Sequence, residues 1–339
     1  MNAVLVARQD NCGDVLLAGP AVRAAAASGR PVHVLCGPRG RAAAELLPGL
    51  AGIVECRVPW IEPDRMRVAP ADAAILVDRV RALGVTDAAV LVSSHQSPLP
   101  LALLLRWAGV ARIAAVSHDH AGSLLDVRIA GDPDVHEVRR GLLVTEALGF
   151  PSPEDDRLRV RLPAPGEPEI PPPYVVVHPG ASAPARTLDP AAWAGVVAAL
   201  AAAGWRVVVT GGPDEVGLGA RVAGRHPRVT DLAGWLDFGR LGLVLGAAAA
   251  VVCGNTGPAH LAAAVGTPVV AIFPPTVPLA RWRPWRVPHV VLGDQRVPCA
   301  GCRARTCPRG DHLCVAGVDG TAVVAAVDHL ARLPEGSRA

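Results

Sequence analysis

Residues 249–265 read AAVVCGNTGPAHLAAAV, and they carry the signals of a strand, a tight loop and a helix in succession. The small apolar run 249–253 is typical of a buried strand, and the alanine-rich run 257–265 is typical of a helix. Gly257 and Pro258 suit the turn and the first helical position. Because the amides at such a helix N-terminus attract anions, we expect a strand–loop–helix unit whose loop binds a negatively charged group.

The same alternation of short β-branched runs and longer alanine- and leucine-rich runs fills the chain in both directions. In the first half it predicts strands at 3–7, 31–36, 52–58, 88–94 and 112–117, and helices at 14–28, 40–47, 71–84 and 99–108. In the second half it predicts strands at 174–178, 206–210, 229–232, 249–253, 268–273 and 289–292, and helices at 190–203, 214–224, 238–247, 257–265 and 319–333. This order predicts an α/β protein with two Rossmann-like, doubly wound parallel-sheet domains.

A proline-rich segment separates the two halves. Residues 162–173 read LPAPGEPEIPPP, which cannot continue a helix or a central strand. We therefore predict a linker at 162–173 between an N-terminal domain, 1–161, and a C-terminal domain, 174–339. Ligands of such sheets bind outside the carboxyl ends of the strands, so we expect the functional residues in loops that face an interdomain cleft.

The composition disfavours two classes of protein. All 33 basic side chains are arginine and the formal net charge is only +3, without a dense basic run, so we expect no nucleic-acid partner. The N-terminal apolar run is too short for a secretory signal, and no run of 18 apolar residues occurs. We expect a cytoplasmic protein, with contact to the inner face of a membrane left open.

The loop after the first strand reads RQDNCGD, from Arg8 to Asp14. Gly13 permits a tight turn, and Asp14 stands at the start of the following helix. Asp14 is either an N-cap, which accepts backbone N–H bonds, or a general base that faces the cleft. The loop lacks the GxGxxG pattern, which argues against a dinucleotide dehydrogenase.

The loop after strand 174–178 is small and contains glycine. It reads HPGASAPAR, from His178 to Arg186. Its backbone N–H groups and Arg186 would suit phosphate oxygens; the alternative is an ordinary loop with a solvated arginine. In the loop of the opening stretch, Asn255 and Thr256 would project into the cleft, whereas His260 is expected to be a structural hydrogen-bonding residue.

Taken together, these motifs resemble glycosyltransferase family 9, the ADP-heptose:lipopolysaccharide heptosyltransferases and their relatives. The resemblance runs from Val4 to about Leu333. It rests on RQDNCGDVLLAGP at 8–20, HPGA at 178–181, DLAG at 231–234, and NTGPAHLAAAVGTP at 255–268. It implies a GT-B fold and an inverting transfer that needs no metal.

The resemblance also implies roles for individual residues. The catalytic aspartate of the family falls on Asp14, and the lysine that contacts the diphosphate falls on Arg186. Ser182, Thr256 and Gly257 would complete the diphosphate site, and Glu215 would contact the ribose. Many members have aspartate where this chain has Asn255, which leaves the identity of the transferred sugar open. Arginine in place of lysine keeps the charge but presents a planar fork.

The first domain should bind the acceptor. Its loops hold His95, His118 and Asp119, which would bind sugar hydroxyls together with the turn at Gly13. For His118 and His120, a surface position without a role in binding is an equal alternative. Trp60 is a candidate for stacking on sugar, whereas Trp107 is expected in the core. Arg139 and Arg140 are candidates for contact with a phosphorylated acceptor, but a solvated helix face is the favoured interpretation.

Four of the eight cysteines are clustered. Cys299, Cys302, Cys307 and Cys314 have the spacing C-x2-C-x4-C-x6-C, and His312 lies among them. This pattern leaves three interpretations: a structural zinc site or, less favoured, an iron–sulfur cluster; free thiols; or a disulfide. We expect the segment to brace its domain without taking part in the chemistry.

Two other functions remain from the sequence. One is a GT-B transferase that uses another nucleotide-sugar for cell-wall glycans or secondary metabolites. The other is a two-lobed small-ligand binding protein, which would show no affinity for a nucleoside diphosphate.

Overall fold

The chain forms two compact units, Met1–Arg161 and Leu162–Ala339, in a computed structural model that describes residues 2–61, 66–93, 95–132, 134–164 and 170–334. The predicted linker, 162–173, falls partly on residues 165–169, which lie outside the described residues.

The first unit is built on a six-stranded parallel sheet in the order β3-β2-β1-β4-β5-β6. The strands are β1 (Ala3–Ala7), β2 (Val32–Cys36), β3 (Gly52–Glu55), β4 (Val85–Val90), β5 (Arg112–Val116) and β6 (Val127–Ile129). The helices are α1 (Cys12–Leu17), α2 (Gly19–Ala26), α3 (Arg41–Leu46), α4 (Pro70–Ala82), α5 (Leu99–Trp107) and α6 (Glu137–Ala147). All five residues of β1 are buried, because helices cover both faces of the sheet.

The second unit repeats this plan with a sheet in the order β12-β11-β10-β7-β8-β9. Its strands are β7 (Val175–His178), β8 (Val207–Val209), β9 (Val229–Asp231), β10 (Ala250–Gly254), β11 (Val269–Ile272) and β12 (His289–Leu292). Its helices are α7 (Pro190–Ala202), α8 (Val216–Ala223), α9 (Phe238–Gly246), α10 (Gly257–Ala264), α11 (Leu279–Trp282) and α12 (Gly320–Ala331). Counted from its own first strand, this is the strand order of the first unit and of the Rossmann fold.

The structure differs from the predicted elements in the first unit. The helix predicted at 14–28 is two helices that meet at Ala18, where Pro20, in the first turn of α2, lacks the N–H that would continue the first helix. Strand β4 begins three residues before the predicted strand 88–94 and ends at Val90. The predicted elements omit β6, which is only three residues long, and α6, which begins with charged residues.

In the part of the chain that is described, no helix has both the length and the apolar character needed to cross a membrane.

Candidate functional site

Each sheet reverses its strand order at one point. In the first unit this point lies between β1 and β4, and in the second it lies between β7 and β10. At such a point the loops that leave the two strands turn to opposite faces of the sheet and open a crevice between them. Each unit therefore has its own candidate site, formed in the first unit by the residues that follow β1 and β4 and in the second by the residues that follow β7 and β10.

In the first unit, a buried arginine stands at the centre of the crevice. Arg8 follows β1 and is 4% exposed. Its Nη2 donates to Asp14 Oδ1 at 2.8 Å and to Ser93 Oγ at 2.9 Å, and its Nη1 donates to Glu137 Oε2 at 3.0 Å. Its Nε lies 3.0 Å from Asp10 Oδ2. Burial lowers the pKa of Arg8, but the three surrounding carboxylates outweigh it and raise this pKa above its ordinary value, so Arg8 stays charged.

Asp10 connects the loops after β1 and β4. The side-chain amide of Gln96 donates to Asp10 Oδ1, and Ser93 Oγ donates to Oδ2 at 3.3 Å. Burial raises the pKa of Asp10 above its ordinary range, and the nearby Asp14 adds to this effect against the opposing charge of Arg8. The two loops on either side of the reversal point are thus joined through hydrogen-bonded side chains.

Asp14 is not the N-cap of its helix, so the capping interpretation is wrong. The N-cap of α1 is Asn11, which makes no side-chain cap, and Asp14 is the third helical residue. Its side chain is 19% exposed. Arg8 occupies Oδ1, and no hydrogen bond to Oδ2 is present among the described residues. The carboxylate is therefore anchored through one oxygen and open through the other.

Helix α6 contributes two buried charges: Glu137, which no sequence pattern indicated, and Arg140, which was expected on a solvated helix face. Glu137 is 4% exposed and Arg140 is 6% exposed, and both line a small cavity beside Arg8. The expected solvated face is therefore wrong for Arg140. Arg139 does lie near the surface, where it pairs with Glu146 at 3.8 Å. Because 129 residues separate Arg8 from Glu137, no local pattern could have shown this pairing.

The candidate acceptor residues lie at the carboxyl ends of neighbouring strands. His95 follows β4, and His118 and Asp119 follow β5; all three are exposed. Ser97 Oγ donates to Asp119 Oδ2 at 3.3 Å, which joins the two loops. Gly13 is buried in the first turn of α1, beside Asp14.

Trp60 and Trp107, the two tryptophans considered in the sequence analysis, have different surroundings. Trp60 is partly buried and packs against the core of the first unit. Trp107 was expected in the core, but it is 62% exposed at the end of α5. The expectation failed because Leu104 and Leu105 of the same helix turn toward the sheet and leave Trp107 on the outer face.

In the second unit, the loop after β7 is fixed by a buried histidine and a carboxylate. His178 Nδ1 lies 3.0 Å from Thr210 Oγ1, and its Nε2 lies 3.7 Å from Glu215 Oε2. Burial lowers the pKa of His178, against the opposing effect of Glu215. Glu215 Oε2 accepts the Gly212 N–H at 2.8 Å. The Glu215 side chain therefore lies between the loops after β7 and β8.

The loops after β7 and β10 meet backbone to backbone. A Cβ at Gly254 would stand 2.7 Å from the carbonyl oxygen of Arg186, so only glycine permits this approach. The N-cap of α10 is Thr256, whose hydroxyl donates to the Gly254 carbonyl at 3.4 Å and does not cap the helix. The reversal point thus brings the backbone of Arg186 against Gly254, which directly precedes Asn255 and Thr256 in the chain. His260 is buried in α10, as its expected structural role requires.

The cysteine segment holds the loop that carries Ser182 and Arg186. Arg305 Nη2 donates to the Ser182 carbonyl at 3.0 Å, and the Arg305 carbonyl accepts the Ala185 N–H at 3.0 Å. The segment is itself tied to the loop after β11, where the Arg303 N–H donates to the Thr276 carbonyl at 2.9 Å. The expected bracing role has a concrete form in these contacts.

The cysteines of this segment are free thiols in the structure, and none forms a disulfide. Among the residues that the structure describes, no three of histidine, cysteine, aspartate or glutamate come together as a metal site. Burial raises the pKa of Cys314, and the nearby Cys299, Cys307 and Cys302 add to this effect. The interpretation of Cys299, Cys302, Cys307, Cys314 and His312 as metal ligands therefore stays a prediction.

Comparison with solved structures supports the fold. The chain is similar to Escherichia coli ADP-heptose LPS heptosyltransferase II, with a TM-score of 0.75 at 16% identity over 98% of both chains. It is also similar to a glycosyltransferase family 9 protein of Veillonella parvula, with a TM-score of 0.76 at 14% identity over 97% of both chains. The iron-containing dodecameric glycosyltransferase TibC of Escherichia coli gives 0.58 at 16% identity, over 98% of this chain and 79% of that one. Two Rossmann-like units of this kind define a GT-B protein.

Sequence comparison then gives the family. The model described as "Glycosyltransferase family 9 (heptosyltransferase)" matches residues 85–312, and the chain belongs to this family. It is 34% identical to lipopolysaccharide heptosyltransferase 3 of Escherichia coli over 168 residues, 46% of each protein. It is 29% identical to lipopolysaccharide heptosyltransferase 1 of Pseudomonas aeruginosa over 238 residues, 64% of this chain and 62% of that protein. The chain thus matches about half the length of the first relative.

Proposed function

We propose that the protein is an inverting glycosyltransferase that moves a sugar, heptose in the first instance, from an ADP-sugar to a hydroxyl of a glycan or glycolipid. The observation that carries the proposal is the state of Asp14: Arg8 holds Oδ1 at 2.8 Å, while Oδ2 is open at the reversal point of the first sheet. Membership of glycosyltransferase family 9 supports the reaction class.

Asp14 acts as the general base in this proposal. The acceptor hydroxyl gives its proton to Asp14 Oδ2 as its oxygen attacks the anomeric carbon. The bond from that carbon to the diphosphate oxygen breaks on the opposite face, and ADP leaves with the electron pair. Attack opposite the leaving group inverts the anomeric configuration. A positioned carboxylate base contributes about 10²- to 10⁴-fold in rate.

The second unit binds the donor. The negative charge that develops on the departing diphosphate is met by Arg186 and by amide and hydroxyl groups of the two loops, without a metal ion. Glu215, at the carboxyl end of β8, receives the ribose hydroxyls. The residues assigned to the donor are Ser182, Arg186, Glu215, Asn255, Thr256 and Gly257. Related structures described as containing ADP and ADP-2-deoxy-2-fluoro heptose favour an ADP-sugar.

Asn255 bears on the identity of the sugar. Many family members have an aspartate that contacts the transferred sugar at this position, and asparagine replaces one acceptor oxygen with a donating amide. Paired assays with ADP-heptose and an ADP-hexose will determine which sugar the asparagine accepts.

The first unit binds the acceptor through Gly13, His95, His118 and Asp119. Two relatives are named for lipopolysaccharide, so a glycolipid acceptor is the first choice. An enzyme with such an acceptor would work in the cytoplasm and meet the inner face of the membrane at its surface.

Calorimetric titration with ADP and UDP tests the donor half of the proposal. We expect micromolar ADP affinity that magnesium and EDTA leave unchanged. Arg186→Ala should weaken it about tenfold or more, because a charge-assisted contact is lost. Arg240→Ala, which removes an exposed arginine of the same unit, is the matched control. Preference for UDP would discard the ADP-sugar, and binding of neither nucleotide would contradict the proposed function.

A further inference from the structure

We propose that Glu137 is a positioning residue of the transfer reaction, which acts on Asp14 through Arg8. This inference rests on the proposed function, because it gives Asp14 the role of base. It concerns helix α6, which that function does not otherwise use.

The burial of Glu137 is the first observation. Its side chain is 1% exposed and stands in the first turn of α6, where the His136 side chain caps the helix by accepting the Val138 N–H at 3.2 Å. Placing a carboxylate in such surroundings is unfavourable unless it is paired with good geometry. The pair is formed with Arg8, whose Nη1 donates to Glu137 Oε2 at 3.0 Å.

The planar shape of the guanidinium explains how the pairing of Glu137 with Arg8 can position Asp14. A guanidinium is a planar fork, so fixing two of its edges fixes the third. Glu137 accepts a hydrogen bond from Nη1, and Asp10 attracts the Nε edge as an ion pair at 3.0 Å, where the described residues offer Nε no hydrogen bond of good geometry. Nη2 is thereby held where it donates to Asp14 Oδ1 at 2.8 Å. Oδ2 of Asp14 then faces outward, where the acceptor hydroxyl must approach.

Charge balance alone does not explain Glu137. Arg8 carries one positive charge, and Asp10 and Asp14 already supply two carboxylates against it. A third buried carboxylate makes the cluster more negative, even with Arg140 lining the same cavity. What Glu137 adds is the orientation of Arg8.

The variants Glu137→Gln and Glu137→Asp test this role. Glutamine keeps the volume of the side chain and removes its charge. Aspartate keeps the charge, but its side chain is one methylene shorter, so its carboxylate lies further from Arg8. If position matters, both lower kcat, by about tenfold to a hundredfold, because small displacements of reacting groups have effects of this size. The KM values for donor and acceptor should stay within about twofold, because neither substrate touches Glu137. Glu146→Gln, on the same helix but paired with Arg139 at 3.8 Å, is the matched control.

A second measurement does not depend on activity. Nitrogen-15 NMR of arginine side chains, with the Arg8 signals assigned through Arg8→Lys, reports rotation of the guanidinium. We expect separate Nη signals in the wild type and averaged signals in Glu137→Gln, with Glu146→Gln unchanged. Thermal unfolding and ADP titration confirm that each variant is folded. If Glu137→Gln does not fold, the NMR measurement is made on Glu137→Asp instead.

The outcomes separate the two proposals. Averaged Arg8 signals together with a loss confined to kcat support the inference. Arg8 signals that match the wild type in both Glu137 variants overturn it, whatever the enzyme does. Full recovery of kcat by Glu137→Asp also overturns it, because charge alone would then suffice. A wild type without transferase activity would contradict the proposed function, and the NMR result would still decide whether Glu137 orients Arg8.

Discussion

A carboxylate oxygen of Glu215 lies so close over Gly180 that a Cβ built on this glycine would stand 2.0 Å from it. Glu215 also accepts the Gly212 N–H at 2.8 Å, so its carboxylate is held between the loops that follow β7 and β8. The absence of a side chain at residue 180 is therefore what allows Glu215 its position.

Gly180→Ala should displace the Glu215 carboxylate and weaken ADP binding about tenfold, which corresponds to about 1.4 kcal/mol. Calorimetry measures this directly. Gly195→Ala is the control, because a Cβ there, within α7, meets nothing within 4 Å. In a Glu215→Ala background, Gly180→Ala should have little further effect. A full additional loss in that background would show that Gly180 acts on something other than Glu215.

The contact between Arg305 and the donor loop gives a second prediction. Arg305→Ala removes the 3.0 Å hydrogen bond to the Ser182 carbonyl, so the loop that carries Arg186 should be ordered less well. We expect ADP affinity to fall about threefold to tenfold, which is within the usual net contribution of one hydrogen bond, about 0.5–1.5 kcal/mol. Arg303→Ala removes the same charge from the same segment and keeps the backbone bond to Thr276, so it is the matched control. Equal losses in both variants would indicate a general charge effect.

Acid sensitivity follows from His178. Burial lowers its pKa, against the opposing effect of Glu215, so the folded chain binds a proton at His178 less readily than the unfolded chain does. Its contribution to stability is present above about pH 6.5, the ordinary value for histidine, and is lost as the pH falls below it. Tm should therefore drop more between about pH 7.5 and 5.5 in the wild type than in His178→Asn. Equal drops would contradict this. Asp10, whose pKa is also shifted, is present in both the wild type and His178→Asn, so it contributes equally to the change in Tm of each protein.

Much of the fold could be predicted because short β-branched runs and longer alanine- and leucine-rich runs alternate clearly along the sequence. The strand–loop–helix unit at 249–265 appears as β10 and α10 within one residue at each end, since its apolar strand and alanine-rich helix are separated by Gly257 and Pro258. The predicted strand at 289–292 has the observed bounds of β12. Helix α6 was missed because EVRRG, at its start, mixes charge with glycine and hides its apolar face.

The site could be predicted only where a loop follows a strand directly. Arg186 and Asn255 stand in such connections, and Asp14 stands in the first turn of the helix that follows β1; their proposed roles remain to be tested. The partners of Arg8 could not be found this way, because Glu137 reaches it from 129 residues along the chain. The cysteine spacing suggested metal ligands, and this interpretation stays a prediction, because spacing along the chain does not fix the positions of the sulfur atoms.

Metal removal checks the metal-free mechanism. We expect the transfer rate to be unchanged by EDTA, because Arg186 and the loop amides meet the charge of the leaving diphosphate. The zinc and iron content of protein purified without oxygen separately tests the metal interpretation of the cysteine segment, and less than about a tenth of an equivalent would contradict that interpretation. A rate that falls with EDTA and returns with one metal would contradict this prediction.

The most direct test of the central claim is transfer itself. Wild type and Asp14→Asn are incubated with ADP-heptose and a glycan acceptor, and NMR gives the rate and the anomeric configuration of the product. The account predicts an inverted product, ADP affinity equal in both proteins, and a rate about 10³-fold lower in Asp14→Asn, because the base is lost while the donor site in the second unit is untouched. A retained configuration, or an Asp14→Asn rate within about tenfold of the wild type, would contradict the account.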